Sequence, residues 1–329
     1  MRLHRPPGYI VGIVISAACL WLAIRHIDTD VFLDALKQAN TTLISAAFLI
    51  TVAVCVLRVI RWRILFSFAT DVPTNSLFSV LMIGFLANNL LPARLGDVAM
   101  AVLLHHKEGV GKSRSMGAIL YDRLFDVIAL VTMMGVVLLF EDLPAWVDWI
   151  TRLGLIGCFF LFSLIWMMVR NPDVSFRVAE TLTGYLPKKV QNRLMQVFVM
   201  AIEGMEVASS PLRMVMTLLV SFLIWLSLGT IVYLLMLSYN FQLDFVAAII
   251  VLGIVNLGLI IPSSPGFVGT FQLFCVAALG LYGVDKSSAL SFSVVYHLSQ
   301  WLPTTLIGYY YLNRENLKLS SLRKFEEPH

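Results

Sequence analysis

An arginine that cannot shed its charge sits in a helix-breaking stretch of this chain, Asn88-Asn89-Leu90-Leu91-Pro92-Ala93-Arg94-Leu95-Gly96-Asp97. A guanidinium presents a planar fork of donors that suits a phosphate, and it stays charged even when buried. Pro92 removes a backbone donor and Gly96 permits a tight return, while Asn88 and Asn89 can bond the backbone groups set free. Asp97 is placed to pair with Arg94. Two readings stand: the pair closes a hairpin at an interface, or Arg94 holds an anionic group, as ionisable residues at membrane depth commonly do. A second stretch repeats the plan, Ile260-Ile261-Pro262-Ser263-Ser264-Pro265-Gly266-Phe267, with its first proline 170 positions after Pro92. It carries no charge. Ser263, Ser264, Thr270 and Gln272 supply hydroxyls and an amide. A helix starting near Gly266 would turn its free N–H groups toward an anion. The same hydroxyls would serve equally well as caps of that helix.

Three further groups carry polar chemistry in apolar surroundings. Asp122 and Asp126 lie four apart and share a helix face, with Arg123 beside them. They form either an internal ion-pair cluster that locks the fold or part of a substrate site. Ser293, His297, Gln300 and Thr304 recur at helical spacing, and such a stripe in a membrane helix faces other helices or water. Arg58, Arg61 and Arg63 flank Trp62 at the end of an apolar run. That pattern reads as an interface anchor with a belt tryptophan, and secondarily as a collector of lipid head groups.

The elements that must position these residues are membrane helices. The 329 residues are 59% hydrophobic and 13% charged, with a mean hydropathy of +0.84. The fold class expected is therefore all-α, a single polytopic membrane domain over 1–329. Complete spans are expected at about 9–24, 41–57, 119–140, 153–169, 212–237 and 289–312. Interrupted regions fill 76–104 and 245–283, and the second would raise the total to eight spans if it crosses fully. The formal net charge of +4 is ordinary for this class, and no nucleic-acid, metal or cofactor pattern is present. Cys19, Cys55, Cys158 and Cys275 all fall in apolar runs without ligand spacing, and read as buried thiols. The N-terminal apolar run continues past the length of a signal core and is read as a retained span.

Loop charges orient the chain. Basic residues precede the first span and follow the second, while acidic ones follow the first span and precede the fourth, so both termini are expected on the cytoplasmic side. The segments 41–140 and 212–312 then contain the same parts with opposite polarity. That is an inverted repeat, a plan shared by secondary transporters that bind at the interface of their halves. Between them, 171–210 is amphipathic, with a kink at Pro187 and with Lys188, Lys189 and Arg193 facing anionic head groups on the inner leaflet.

At these residues the chain resembles the flippase-like family named after the membrane region of lysylphosphatidylglycerol synthases. The resemblance rests on the arginine-rich end at Arg58–Arg63, the Asn-x-Leu-Pro-Ala-Arg-x-Gly-acid motif ending at Asp97, Asp122-Arg123-x-x-Asp126, and Ser-Pro-Gly-x-x-Gly at Ser264–Gly269. It implies a plasma-membrane protein, bacterial inner membrane in setting, that handles lipids. In relatives the module moves aminoacylated phospholipid or a polyprenyl- or dolichyl-phosphate-linked sugar between leaflets. The chain departs from the family at Met100, where arginine is frequent, and at Phe267 and Gln272, where glycine and an acid are usual. The synthase and transferase domains of some relatives are not recognisable, which leaves a separate lipid-modifying enzyme as an implied partner.

These observations lead to a transporter rather than an enzyme. A membrane phospholipid or polyprenyl-phosphate lipid would be held between the two breaks by Arg94, Asn88, Asn89 and the amides near Gly266, and moved by rocking one half against the other. A membrane enzyme acting on a lipid phosphate is the alternative, but Asp122 and Asp126 supply one carboxylate pair and no second cluster. An ion or small-solute transporter of the same architecture is the third.

Overall fold

The computed structural model describes residues 7–69, 71–91, 95–140, 145–203 and 210–317. They are helical throughout, with no strand among them. In chain order the helices are α1 (Pro7–Ile24), α2 (Thr29–Gln38), α3 (Thr41–Leu65), α4 (Thr74–Leu90), α5 (Leu95–Glu108), α6 (Lys112–Val137) and α7 (Ala145–Arg170). Then follow α8 (Pro172–Thr183), α9 (Lys188–Glu203), α10 (Pro211–Ser238), α11 (Phe245–Gly258), α12 (Thr270–Gly280) and α13 (Lys286–Arg314).

Two helices, α3 with 25 residues and α10 with 28, are both long and apolar enough to cross a membrane. At 1.5 Å per residue they are roughly 38 and 42 Å long, against about 30 Å of hydrocarbon. Each shows a row of exposed apolar side chains, Leu49, Val52, Val56 and Ile60 on α3 and Leu219, Leu223 and Leu226 on α10. In water such a surface would be unstable; against lipid it is the expected outer face. Helices α6, α7 and α13 have 26, 26 and 29 residues. They have the length of a span, and α6 and α13 carry the polar groups singled out above.

The interrupted regions are pairs of shorter helices, α4 with α5 and α11 with α12. Helices α11 and α12 have 14 and 11 residues, hence about 21 and 16 Å. The turn after α11 packs against the end of α4 and against α1. Helix α3 packs along α10, α4 on α13, and α11 on α6, while α4 packs on α5 and α11 on α12. The order long helix, two short helices, long helix thus occurs twice, and the two sets interlock.

Three expectations need correction. The second apolar run does not stop before Arg58; α3 continues to Leu65, so its arginines lie within the helix. The acidic stretch after α1 is not a loop but α2, which turns away from α1 by 87°. The Asp28 side chain caps it by accepting from the N–H groups of Asp30 and Val31, as an N-cap aspartate should. The segment 171–210 forms two helices instead of one kinked helix, because the Gly184–Pro187 stretch breaks it, and α9 packs on α6.

Candidate functional site

Where α3 passes α6, the bundle buries charge. Arg61 is fully buried, with Nε 2.8 Å from Asp122 Oδ1 and Nη1 2.7 Å from Asp126 Oδ1. Nη1 also donates to Ser221 Oγ at 3.0 Å, and the Trp225 indole N–H donates to Asp126 Oδ1 at 3.1 Å. The expectation of an interface anchor therefore fails for Arg61. It is the centre of an internal network, paired with aspartates more than sixty residues away. Arg63 donates to the carbonyl of Val72 at 2.7 Å and so ties down the turn after α3.

The network extends toward the first break. Arg123 binds Asp97 with two nitrogens, at 3.2 and 2.7 Å, and reaches Asp126 at 3.7 Å. Arg58 reaches the same Asp126 at 3.4 Å and lies over the Phe85 ring. Asn88 donates to Asp97 at 3.2 Å and accepts from the N–H of Gly96 at 2.9 Å, which satisfies backbone at the break. Gly96 is obligatory there, since a Cβ would stand 2.1 Å from the carbonyl oxygen of Gly84. Asp97 pairs with Arg123; the expected contact with Arg94 falls on a residue outside those described. Pro92, Ala93 and Arg94 lie outside the described residues. Three guanidiniums (Arg58, Arg61, Arg123) face three carboxylates (Asp97, Asp122, Asp126), so this network balances.

The second break is arranged differently from expectation. Residues Pro265–Phe267 make a 3-10 turn, and α12 begins only at Thr270, after Gly269 at φ 95°. The Ser264 hydroxyl donates to the Val268 carbonyl and Thr270 Oγ1 to that of Phe267, so neither caps the helix. Gln272 does part of that work by accepting from the Gly269 N–H at 2.7 Å. Its amide also lies 3.0 Å from His297 Nδ1, and the imidazole is stacked on Phe271. Ser263 Oγ is buried without a hydrogen-bond partner. Helix α1 clamps the break: Ser16 Oγ accepts from the Ser264 N–H at 2.7 Å, and Gly12 and Gly269 let the backbones touch.

The two breaks meet. A Cβ on Gly266 would sit 3.1 Å from the carbonyl oxygen of Asn89, and the Asn89 amide donates to Thr304 and Thr305 of α13. Around this junction lies a cavity of two lobes, about 220 and 350 Å³. The smaller lobe is lined by Asn89, His297 and Thr304, the larger by Asp126, Trp225 and Asn256; Arg58, Asn88, Arg123, Phe267 and Gln300 border both. Most of the residues singled out from sequence are thus brought together, with Ser293 turned instead to the carbonyl of Leu290. Sequence reasoning missed Trp225, Ser221, Phe85, Asn256 and Ser16. A tryptophan in the middle of a long apolar run, one turn from a serine, was the available signal for the first two.

Phe267 borders both lobes with its backbone at φ 60°, a region costly for any residue but glycine. Met100 is fully buried against Gly84 and serves packing.

Residues 9–308 match the model of the family described as the lysylphosphatidylglycerol synthase TM region. A UPF0104 membrane protein of Methanocaldococcus jannaschii is 26% identical over 244 residues, covering 72% of this chain and 99% of that one. Another, from Pyrococcus horikoshii, is 25% identical over 333 residues, 95% of this chain and 98% of its own. Glycosyltransferase AglD of Haloferax volcanii is 27% identical over 138 residues, 42% of this chain and 22% of its own length.

Proposed function

The chain belongs to the lysylphosphatidylglycerol synthase TM-region family of membrane proteins, and from that premise we propose that it is a flippase-type transporter and not an enzyme. Its cargo in this reading is an anionic or polyprenyl-phosphate-linked lipid, moved between leaflets of the plasma membrane. One observation carries the reading: two broken helix pairs meet at a cavity bordered by Arg58 and Arg123, with Asn88, Asn89 and Gln300 beside them. In hydrocarbon, irregular backbone survives only inside protein or beside a wet cavity, and paired breaks mark transport sites. The partial likeness to a named glycosyltransferase favours a sugar-bearing lipid among the candidates.

In this reading α3–α6 and α10–α13 form an inverted repeat, with both termini cytoplasmic and both broken pairs re-entrant. The head group rests between the breaks while the chains stay in the bilayer. Arg58 and Arg123 lend charge to it by exchanging part of their contact with Asp126 for the phosphate. Arg94, at the first break, remains assigned to the same head group. A lipid-modifying enzyme acting on one leaflet is the natural partner.

The test is a fluorescent phosphatidylglycerol and a fluorescent polyprenyl phosphate in reconstituted liposomes, with dithionite reporting the accessible leaflet. Wild type should move at least one of them, and Arg58→Gln should slow it at least tenfold. Liposomes in which wild type moves neither lipid overturn the proposal.

A further inference from the structure

The cavity does not end at protein. Its larger lobe runs between α6 and α11, walled by Val127, Leu130 and Val131 on one side and Leu252, Leu257 and, just past α11, Ile260 on the other. Val127 is 50% exposed and Ile260 72% exposed, yet both line the lobe, so its wall reaches the outside of the bundle. Val127 lies midway along α6, which makes the opening lateral. The one amide in this wall, Asn256, donates to the Leu252 carbonyl at 2.8 Å and so has a donor spent within its own helix. Apart from Asn256, the slot is apolar from the guanidiniums outward.

The packing partner that stands in the corresponding place is the contact of α4 with α13, and it is shut. A Cβ on Gly308 would lie 2.4 Å from the carbonyl oxygen of Met82, and Asn89 bonds Thr304 at 3.1 Å and Thr305 at 2.9 Å. Between α6 and α11 a comparably close approach occurs at one end, where Gly253 faces the Met134 side chain. Two contacts made by corresponding helices are therefore in different states, one zipped along its length and one open at the cavity.

We propose that the open seam between α6 and α11 is the slot through which a hydrocarbon chain of the cargo leaves the bundle while its anionic group lies at Arg58 and Arg123. This rests on the flippase reading and names the part of the site that takes the chain. The occupant follows from continuity and charge. Guanidiniums border the lobe at its inner end, and Val127, Leu130, Val131, Leu252, Leu257 and Ile260 border it at its outer end. An amphiphile with one negative group and an acyl or prenyl chain matches both ends. A hydrated solute gains nothing in the outer half, since it would shed water against hydrocarbon side chains. The zipped seam between α4 and α13 is the same slot closed, to be opened when the two halves exchange conformations.

Val127→Trp and Ile260→Trp fill the slot, and Leu226→Trp adds the same bulk on the lipid-facing side of α10, away from the cavity. In the liposome assay the two slot variants should move fluorescent phosphatidylglycerol at least tenfold more slowly than wild type, with Leu226→Trp within twofold. A second measurement is independent of bulk: p-benzoylphenylalanine at position 127 should capture phosphatidylglycerol severalfold more than at position 226. Slot variants that match wild type, or equal capture at the two positions, overturn the slot while leaving the flippase reading intact. A wild type that moves neither fluorescent phosphatidylglycerol nor fluorescent polyprenyl phosphate brings down both.

Discussion

Replacing Arg61 by methionine removes one charge from the interior at nearly constant volume, and its cost follows from who is left behind. Asp126 keeps Arg58 at 3.4 Å, Arg123 at 3.7 Å and the indole of Trp225 at 3.1 Å. Asp122, 2% exposed, keeps Arg123 at 4.0 Å among the described residues. Three positive charges against three negative become two against three, and the orphan is Asp122. Breaking a buried pair by removing one partner costs about 3–5 kcal/mol, because the other charge stays desolvated. Reversible unfolding in an SDS titration, followed by circular dichroism, should show Arg61→Met destabilised by about that amount. Adding Asp122→Asn restores the balance, and the double variant should stand above the single one by about 0.5–3 kcal/mol. A cost below about 1 kcal/mol for Arg61→Met, or a double variant less stable than the single one, refutes the assignment of Arg61 as the keystone of the network.

Two further outcomes are expected. Phe267→Ala keeps a left-handed backbone and loses the ring, whereas Phe267→Gly also releases the strain; in the same titration glycine should be the more stable of the two by about 1 kcal/mol. Gly96→Ala drives a methyl onto the carbonyl of Gly84 and should cost about 1–3 kcal/mol, while Gly157→Ala, which meets open space on α7, should be neutral or stabilising by up to about 1 kcal/mol.

The breaks, their pairing and the polar stripe of α13 could be read from residue order, because proline and glycine act locally and helical spacing is regular. The partners of the charges could not. Nothing near Arg61 announces that Asp122 and Asp126 will come to it, and an arginine beside a tryptophan at the end of an apolar run looks the same whether the helix stops or continues. The pairing of Asp97 with Arg123, twenty-six positions on, is likewise made by packing. Helix α2 was legible in hindsight from Asp28 as cap, Asp30 in the first turn and Lys37 in the last. The four extra residues before α12 were not, since a 3-10 turn holding Gly266 and Phe267 at positive φ leaves no periodicity to find.

Helix α1 belongs to neither of the two matching sets, and it is bolted to the second break. The bond from the Ser264 N–H to Ser16, and the bare backbone contacts at Gly12 and Gly269, give the α11–α12 turn a splint for which the described residues show no counterpart on α4–α5. The α11–α12 turn is thus stapled to a helix outside its own set, and Ser16→Ala would release that staple without touching a single charge.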